Sequence, residues 1–347
     1  MCYKRVILNI TGGRRLRSTG VEKRVVSRTI HKLTLCGFLA VAMFATRQLN
    51  AQNQTLEGYT GGFITPTAYV AYSDKGQFFS HPSVSYHFLN ANSVIGDIHT
   101  FGIAEGFANR AEVSYARSVH VAGDSPAFSA LWNFPGMNVF AGKVVLVKDG
   151  QGGELMPGIA VGGIVRTDDK FVSGALYQEI AALSGVSVAA KAYTNEDIYV
   201  ALTKTWLKPP VPLLVNFGWK ATNASILGIG GQATRFGGRL FGGLGIPLPL
   251  PHGFAMVPSA GFTQEPPQVK YLGDILIGGS AHIPTTLDYA VRVTQKEHPH
   301  VTFDIGVGQV AGNIGQTPII VDGTPVGVLP VDLQARHVVG MGLGFRY

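Results

Sequence analysis

Apolar and polar residues alternate with a period of two through most of this chain, and no other feature constrains the fold as strongly. In 212–220 (PLLVNFGWK) and 301–308 (VTFDIGVG) apolar side chains recur at every second position. Such alternation predicts strands with two different faces. The alternating segments are about 9–11 residues long, which is the length of a tilted strand that crosses a bilayer.

Low charge and spread-out hydrophobicity narrow the class of protein. Only 14% of the residues are charged, and the mean hydropathy is +0.21. The sequence contains no run of 18 apolar residues, which is the length that a membrane-spanning helix needs. These values exclude a helical membrane protein and a disordered chain. We predict an all-β fold, a single antiparallel transmembrane β-barrel of about 14 strands within a range of 12–16. The alternative is a soluble periplasmic or secreted β-protein.

The first 51 residues read as an export signal. Ten of the 28 Lys and Arg residues lie in 1–51 with one of the 21 acidic residues, which leaves 18 basic and 20 acidic residues in 52–347. The positive charge therefore belongs to the leader and does not indicate a nucleic-acid partner. A basic region followed by the apolar stretch 33–45 is typical of a signal peptide. We predict cleavage after Ala51 and a barrel over 52–347.

The last strand carries a second signal. Residues 336–347 read RHVVGMGLGFRY, in which Gly342 precedes the aromatic pair Phe345 and Tyr347. This ending resembles the insertion signal of bacterial outer-membrane β-barrel proteins. The resemblance implies location in the outer membrane of a Gram-negative bacterium, with outer-membrane lipid and the barrel-assembly machinery as partners.

The start of the predicted mature chain carries another resemblance. Residues 58–68 read GYTGGFITPTA, which is similar to the opening of YjbH-like outer-membrane proteins associated with exopolysaccharide production. The resemblance implies a role in envelope polysaccharide traffic. From the residues themselves, Gly61 and Gly62 allow a turn or a close approach to a wall, and Pro66 fits a turn or an edge.

The barrel prediction assigns a set of charged residues to the lumen. If aromatic and aliphatic side chains face lipid, the inward charges are Glu112, Lys220, Asp274, Asp288, Arg292, Asp304, Arg336 and Arg346. Both signs are present, so these groups either line a wide neutral channel or pair within a narrow one. Inward glycines such as Gly306 and Gly340 either leave volume for an inserted segment or relieve curvature.

The functional expectation follows from this lumen. We expect a passive channel or an accessory barrel for envelope polysaccharide or small solutes. The alternative is a plugged structural or adhesive surface barrel, which paired lumen charges would favour. An outer-membrane enzyme is the third hypothesis.

Catalytic and cofactor motifs are not convincing. The G-x-G-x-x-A sequences at 228–233 and 306–311 lack the helix that a dinucleotide site needs. The pair of histidines in 297–300 has no identifiable further ligands. We therefore predict no enzyme activity, no cofactor and no metal site. Residues 311–334 contain three prolines and are expected to form an outer loop, or else to fold into the lumen.

Overall fold

The computed structural model describes most of the chain beyond the predicted leader. The described residues are 54–91, 96–124, 136–168, 194–207, 212–224, 232–266, 269–272, 275–281, 285–295, 300–311, 315–321, 324–331 and 337–346. The predicted signal peptide and its cleavage site lie outside them. No helix in these ranges is long and apolar enough to cross a membrane.

The described residues form seventeen strands. In chain order these are β1 Ser83–Asn90, β2 Gly96–Phe107, β3 Ala111–Ala122, β4 Gly136–Val147, β5 Gly158–Asp168, β6 Thr194–Trp206, β7 Leu213–Ala224, β8 Gln232–Gly245, β9 Leu248–Pro249, β10 Phe254–Gln264, β11 Val269–Leu272, β12 Ile275–Ala281, β13 Thr285–Gln295, β14 His300–Ala311, β15 Gly315–Val321, β16 Thr324–Val331 and β17 His337–Arg346.

Twelve of these strands close into an antiparallel barrel, which we call the wall. Strands β1 to β8 pair in sequence, β8 pairs with β10, and the sheet continues through β13, β14 and β17. Strand β17 then pairs with β1 from Ser83↔Arg346 to Asn90↔Val339, which closes the circle. The prediction of an all-β antiparallel barrel is confirmed, with twelve wall strands at the lower end of the expected range.

The two ends of the barrel differ in the length of their connections. Strand β1 begins and β17 ends at the same end, which we call the near end. Connections at the near end span 3 to 10 residues, and those at the opposite, far end span 5 to 25 residues. Short turns beside both termini and longer loops opposite them are the arrangement of outer-membrane barrels.

Burial along the wall strands is inverted relative to a soluble protein. The outward side chains are apolar and exposed, as at Phe101 (55%), Ile198 (65%) and Leu343 (52%). Inward positions of the same strands carry buried polar residues such as Thr100 and Asp197. An apolar outer face around a polar interior is what a bilayer requires of a barrel, so the soluble alternative does not fit.

Five strands lie outside the wall circuit: the two-residue β9, which pairs with β10, and four strands in the two longest far-end connections that contain described residues. Strands β11 and β12 pair with each other, as do β15 and β16, and Ile277↔Ile319 links the two hairpins. The expected outer loop 311–334 therefore contains a pair of strands, which its prolines did not predict. Pro325 and Pro330 are tolerated because β16 has only β15 as its pairing partner in the described part of the chain, and an edge strand has N–H positions that need no partner.

Candidate functional site

Residues 54–73, which we call the plug, lie inside the barrel. Their side chains are mostly buried although the segment belongs to no strand. The plug folds on itself through Thr55 N to Tyr59 O at 2.8 Å and Gly62 N to Thr65 O at 2.8 Å. An isolated bridge joins Gly61 to Pro66. The motif at 58–68 thus forms a compact turn within the lumen, where Gly61 and Gly62 allow the reversal.

Glycines on both sides allow the plug to approach the wall closely. Gly58 has a positive φ of 83°, and a Cβ there would lie 2.9 Å from Ala116 Cβ of the wall. Phe63 occupies space left by two inward glycines, because a Cβ at Gly306 or Gly340 would lie 2.7 or 2.9 Å from its ring. At these positions the glycines leave room for an inserted segment, which decides between the two readings of the sequence.

A buried ion-pair cluster joins the plug to β5 and β6. Arg166 donates from Nε to Glu57 Oε1 and from Nη2 to Glu57 Oε2, the latter at 2.8 Å. Nη2 also donates to Asp197 Oδ2 at 2.9 Å. Lys220 Nζ lies 4.0 Å from the same carboxylate oxygen. Burial raises the pKa of the Tyr59 hydroxyl, which therefore stays neutral and donates to Glu57 at 3.2 Å.

A second pair on β3 and β4 binds the plug backbone. The Glu112 carboxylate accepts the amide hydrogens of Thr60 at 2.8 Å and Ala71 at 2.6 Å. Lys143 Nζ lies 3.9 Å from Glu112 and donates to the carbonyl oxygens of Thr60 and Thr67. The wall therefore offers an anion to plug amides and a cation to plug carbonyls, side by side.

A third pair lies on β13 and β14. Arg292 and Asp304 are cross-strand partners, joined by Nε and Nη2 donors at 3.1 and 2.8 Å from Oδ2. The same guanidinium donates to the carbonyl oxygen of Gly61 at 3.0 Å and of Gln54 at 2.8 Å. This arginine thus holds both ends of the plug's first turn.

Further contacts fix the part of the plug that leads back to β1. Asn216 Nδ2 donates to Pro66 O at 2.9 Å, and Ala68 N donates to Thr203 Oγ1 at 2.8 Å. Arg346, on the last strand, donates to Tyr72 O at 2.7 Å. The plug is held along its whole length by polar wall side chains.

The predicted lumen residues can be placed. Six of the eight have buried side chains on the inward face: Glu112, Lys220, Asp288, Arg292, Asp304 and Arg346. Asp274 and Arg336 lie outside the described residues. Within the predicted assembly signal, Gly342 is an inward position and Phe345 is exposed on the outer face, while Tyr347 also lies outside the described residues.

Sequence reasoning missed four residues of the site: Glu57, Lys143, Arg166 and Asp197. The three wall residues sit at alternate positions of β4, β5 and β6, so period-two alternation could have placed them inward. Glu57 carried no such signal, because it belongs to no strand.

A cavity lies beside the plug in the far half of the barrel. It is bordered by Leu56 and Glu57 of the plug and by inward residues of β1 to β4, among them His87, Thr100, Ser118 and Met137. Glu57 therefore borders this cavity and also contacts Arg166. Among the described residues, no group of three His, Cys, Asp or Glu side chains is arranged to hold a metal ion.

The inverted burial, the closed strand circuit and the internal segment define a membrane β-barrel of the outer-membrane type with a filled lumen. The model of the family described as "Protein of unknown function (DUF3034)" matches residues 51–239, and the chain belongs to this family. No curated protein matches the chain. The YjbH-like resemblance gains no support from these comparisons.

Several solved barrels are similar to this chain. The KdgM porin in complex with disordered oligogalacturonate is 10% identical, with 76% of this chain and 99% of that chain covered and a TM-score of 0.40. The NanC porin is 8% identical, with 77% and 100% covered and a TM-score of 0.42. LpxR from Salmonella typhimurium is 10% identical, with 76% and 100% covered and a TM-score of 0.40.

Proposed function

We propose that this protein is an outer-membrane channel that its own N-terminal segment keeps closed. The observation that carries the proposal is the plug itself, whose residues 54–73 fill the lumen and bind inward charges on both sides of the barrel. A channel and a plugged barrel were separate hypotheses from the sequence. Here they are two states of one barrel, and the plugged state is the one described.

The pairing of the wall charges supports a plug that can leave. Lys143 has Glu112 beside it, and Arg292 has Asp304. These two cations, which bind plug carbonyls, therefore keep a partner on the wall when the plug is absent. An unpaired buried charge would oppose departure, because removing one partner of a buried pair costs about 3–5 kcal/mol. The described plug contributes one charged side chain of its own, Glu57.

The orientation follows the pattern of outer-membrane barrels. Both chain ends and the short turns would face the periplasm, and the far-end hairpins would face outside. We propose outer-membrane lipid and the barrel-assembly machinery as the partners of this protein. Envelope polysaccharide or small solutes are the proposed cargo, and we propose that no reaction is catalysed.

Conductance in planar bilayers tests the proposal. We expect the mature barrel to conduct weakly and a variant without residues 54–73 to conduct steadily, because the wall pairs remain intact. Heat-modifiable migration on gels would verify that the deletion variant is folded. A folded deletion variant that conducts no better than the parent would contradict the channel.

A structural or adhesive surface barrel is the second candidate. The observation that favours it is the linked pair of far-end hairpins, which extends β-structure beyond the wall. Deleting 315–331 would abolish adhesion under this candidate and would leave the conductance of the plug-deleted barrel unchanged under the first.

A further inference from the structure

The Arg166 cluster has the form of a carboxylate-binding site that the plug occupies. The guanidinium engages both oxygens of Glu57, which is the two-pronged geometry by which arginine recognises a carboxylate. This is the one place where an ionised plug side chain, rather than plug backbone, fills a described wall site.

The site has donor capacity left over. Arg166 Nη1 is buried and has no hydrogen-bond partner among the described residues. A guanidinium carries five N–H donors, and Glu57 and Asp197 use only those on Nε and Nη2. An incoming oxygen could therefore bind Nη1 before Glu57 leaves.

The charges of the cluster favour an anion once Glu57 is gone. Two cations, Arg166 and Lys220, then face one wall carboxylate, Asp197. The Lys143 and Arg292 pairs, by contrast, are balanced by the wall itself. Of these three sites, only the Arg166 cluster is left with a positive excess when the plug departs.

The cavity in the far half provides an approach. Glu57 borders it, and so does Val139, the cross-strand partner of Arg166. Arg166 and Asp197 lie in the far-end halves of β5 and β6, whereas Lys143 and Arg292 lie in the near-end halves of β4 and β13. A solute that enters from the far end therefore reaches the depth of the Arg166 cluster before that of the other two pairs.

Resting on the proposed function, we infer that Arg166, with Lys220 beside it, binds the carboxylate of a solute that enters from the far end, and that Glu57 imitates this ligand in the closed barrel. The ligand class is a carboxylate-bearing solute. Its binding competes with Glu57 and so favours release of the plug.

The test compares glucuronate with glucose, which has the same ring without the carboxylate. Thermal unfolding of the folded barrel is followed by gel migration, with sodium glucuronate against glucose plus equal sodium chloride. We expect glucuronate to raise the unfolding temperature of Glu57→Gln, with an apparent affinity about tenfold or more above that for the parent, where the tethered carboxylate competes. Glucose should have no effect.

Matched variants identify the site. The double variant Glu57→Gln/Arg166→Gln should lose the glucuronate effect. If Glu57→Gln does not fold, Glu57→Asp takes its place, and its shorter carboxylate should allow a larger glucuronate shift than the parent shows. Equal stabilisation by both sugars, or an effect that survives Arg166→Gln, would overturn the inference. If glucuronate fails while the plug-deleted barrel conducts, only this inference falls. If the plug-deleted barrel does not conduct, the proposed function falls whatever glucuronate does.

Discussion

Phe63 of the plug lies where a side chain of Gly306 would otherwise be. A Cβ on Gly306 would lie 2.7 Å from Phe63 Cζ. Gly308 is the next inward position on the same strand, and a Cβ there would meet only a backbone oxygen at 3.9 Å. The Phe63 ring therefore requires glycine at position 306 but not at position 308.

Gly306→Val should loosen the plug. The added side chain enters the space of the Phe63 ring, and overpacking of this kind costs about 1–3 kcal/mol. We expect more frequent opening in bilayer conductance, while Gly308→Val, the matched control, stays closed. Phe63→Ala added to Gly306→Val should reduce the clash. Identical behaviour of the two valine variants would contradict the packing described.

Arg292→Gln should destabilise the closed barrel. The change leaves Asp304 without its cross-strand cation and the carbonyl oxygens of Gln54 and Gly61 without their donor. Breaking a buried pair costs about 3–5 kcal/mol, so denaturant unfolding in detergent should show a loss of that order. Arg292→Lys keeps the charge and should lose less. An unchanged midpoint for Arg292→Gln would show that the pair is not important for stability.

The mature protein should begin at Gln52. The apolar stretch 33–45 followed by Leu49-Asn50-Ala51 is typical of a cleaved signal. Intact-mass measurement of protein extracted from membranes checks this prediction. A mass that includes residues 33–45 would mean that the leader is retained.

Loss of the terminal aromatic residue should block assembly. Tyr347→Lys, or deletion of Tyr347, removes a ring from the end of a strand that is expected to reach the membrane interface. We expect degraded or aggregated protein in the periplasm and little in outer-membrane fractions. Normal amounts of heat-modifiable barrel there would refute the assembly signal, and Gln309→Lys serves as a control for a charge placed elsewhere.

An epitope inserted after Asp322, between β15 and β16, should be labelled on intact cells. The near end is where β1 begins and β17 ends, and its connections are short, so the hairpin at the far end is expected outside. Labelling that requires permeabilised cells would reverse the orientation or place the hairpin within the lumen.

The period-two pattern by itself predicted strands with two different faces, and the strand length, the low charge and the leader favoured a membrane barrel over a soluble β-protein. A strand has only two faces, so the assignment of the outward apolar face to lipid also sent Glu112, Arg292 and Asp304 inward. The strand number was less certain, because 269–281 and 315–331 also have strand-like composition and the pattern does not say whether a strand joins the wall.

Only the tertiary structure decided what fills the lumen. The contacts of the plug join residues far apart in the chain, such as Glu57 with Arg166 and Gln54 with Arg292. Most of them use plug backbone, whose N–H and C=O groups are the same at nearly every residue. The sequence therefore provides inward charges and glycines, whereas closure of the strands into a barrel brings them around one segment.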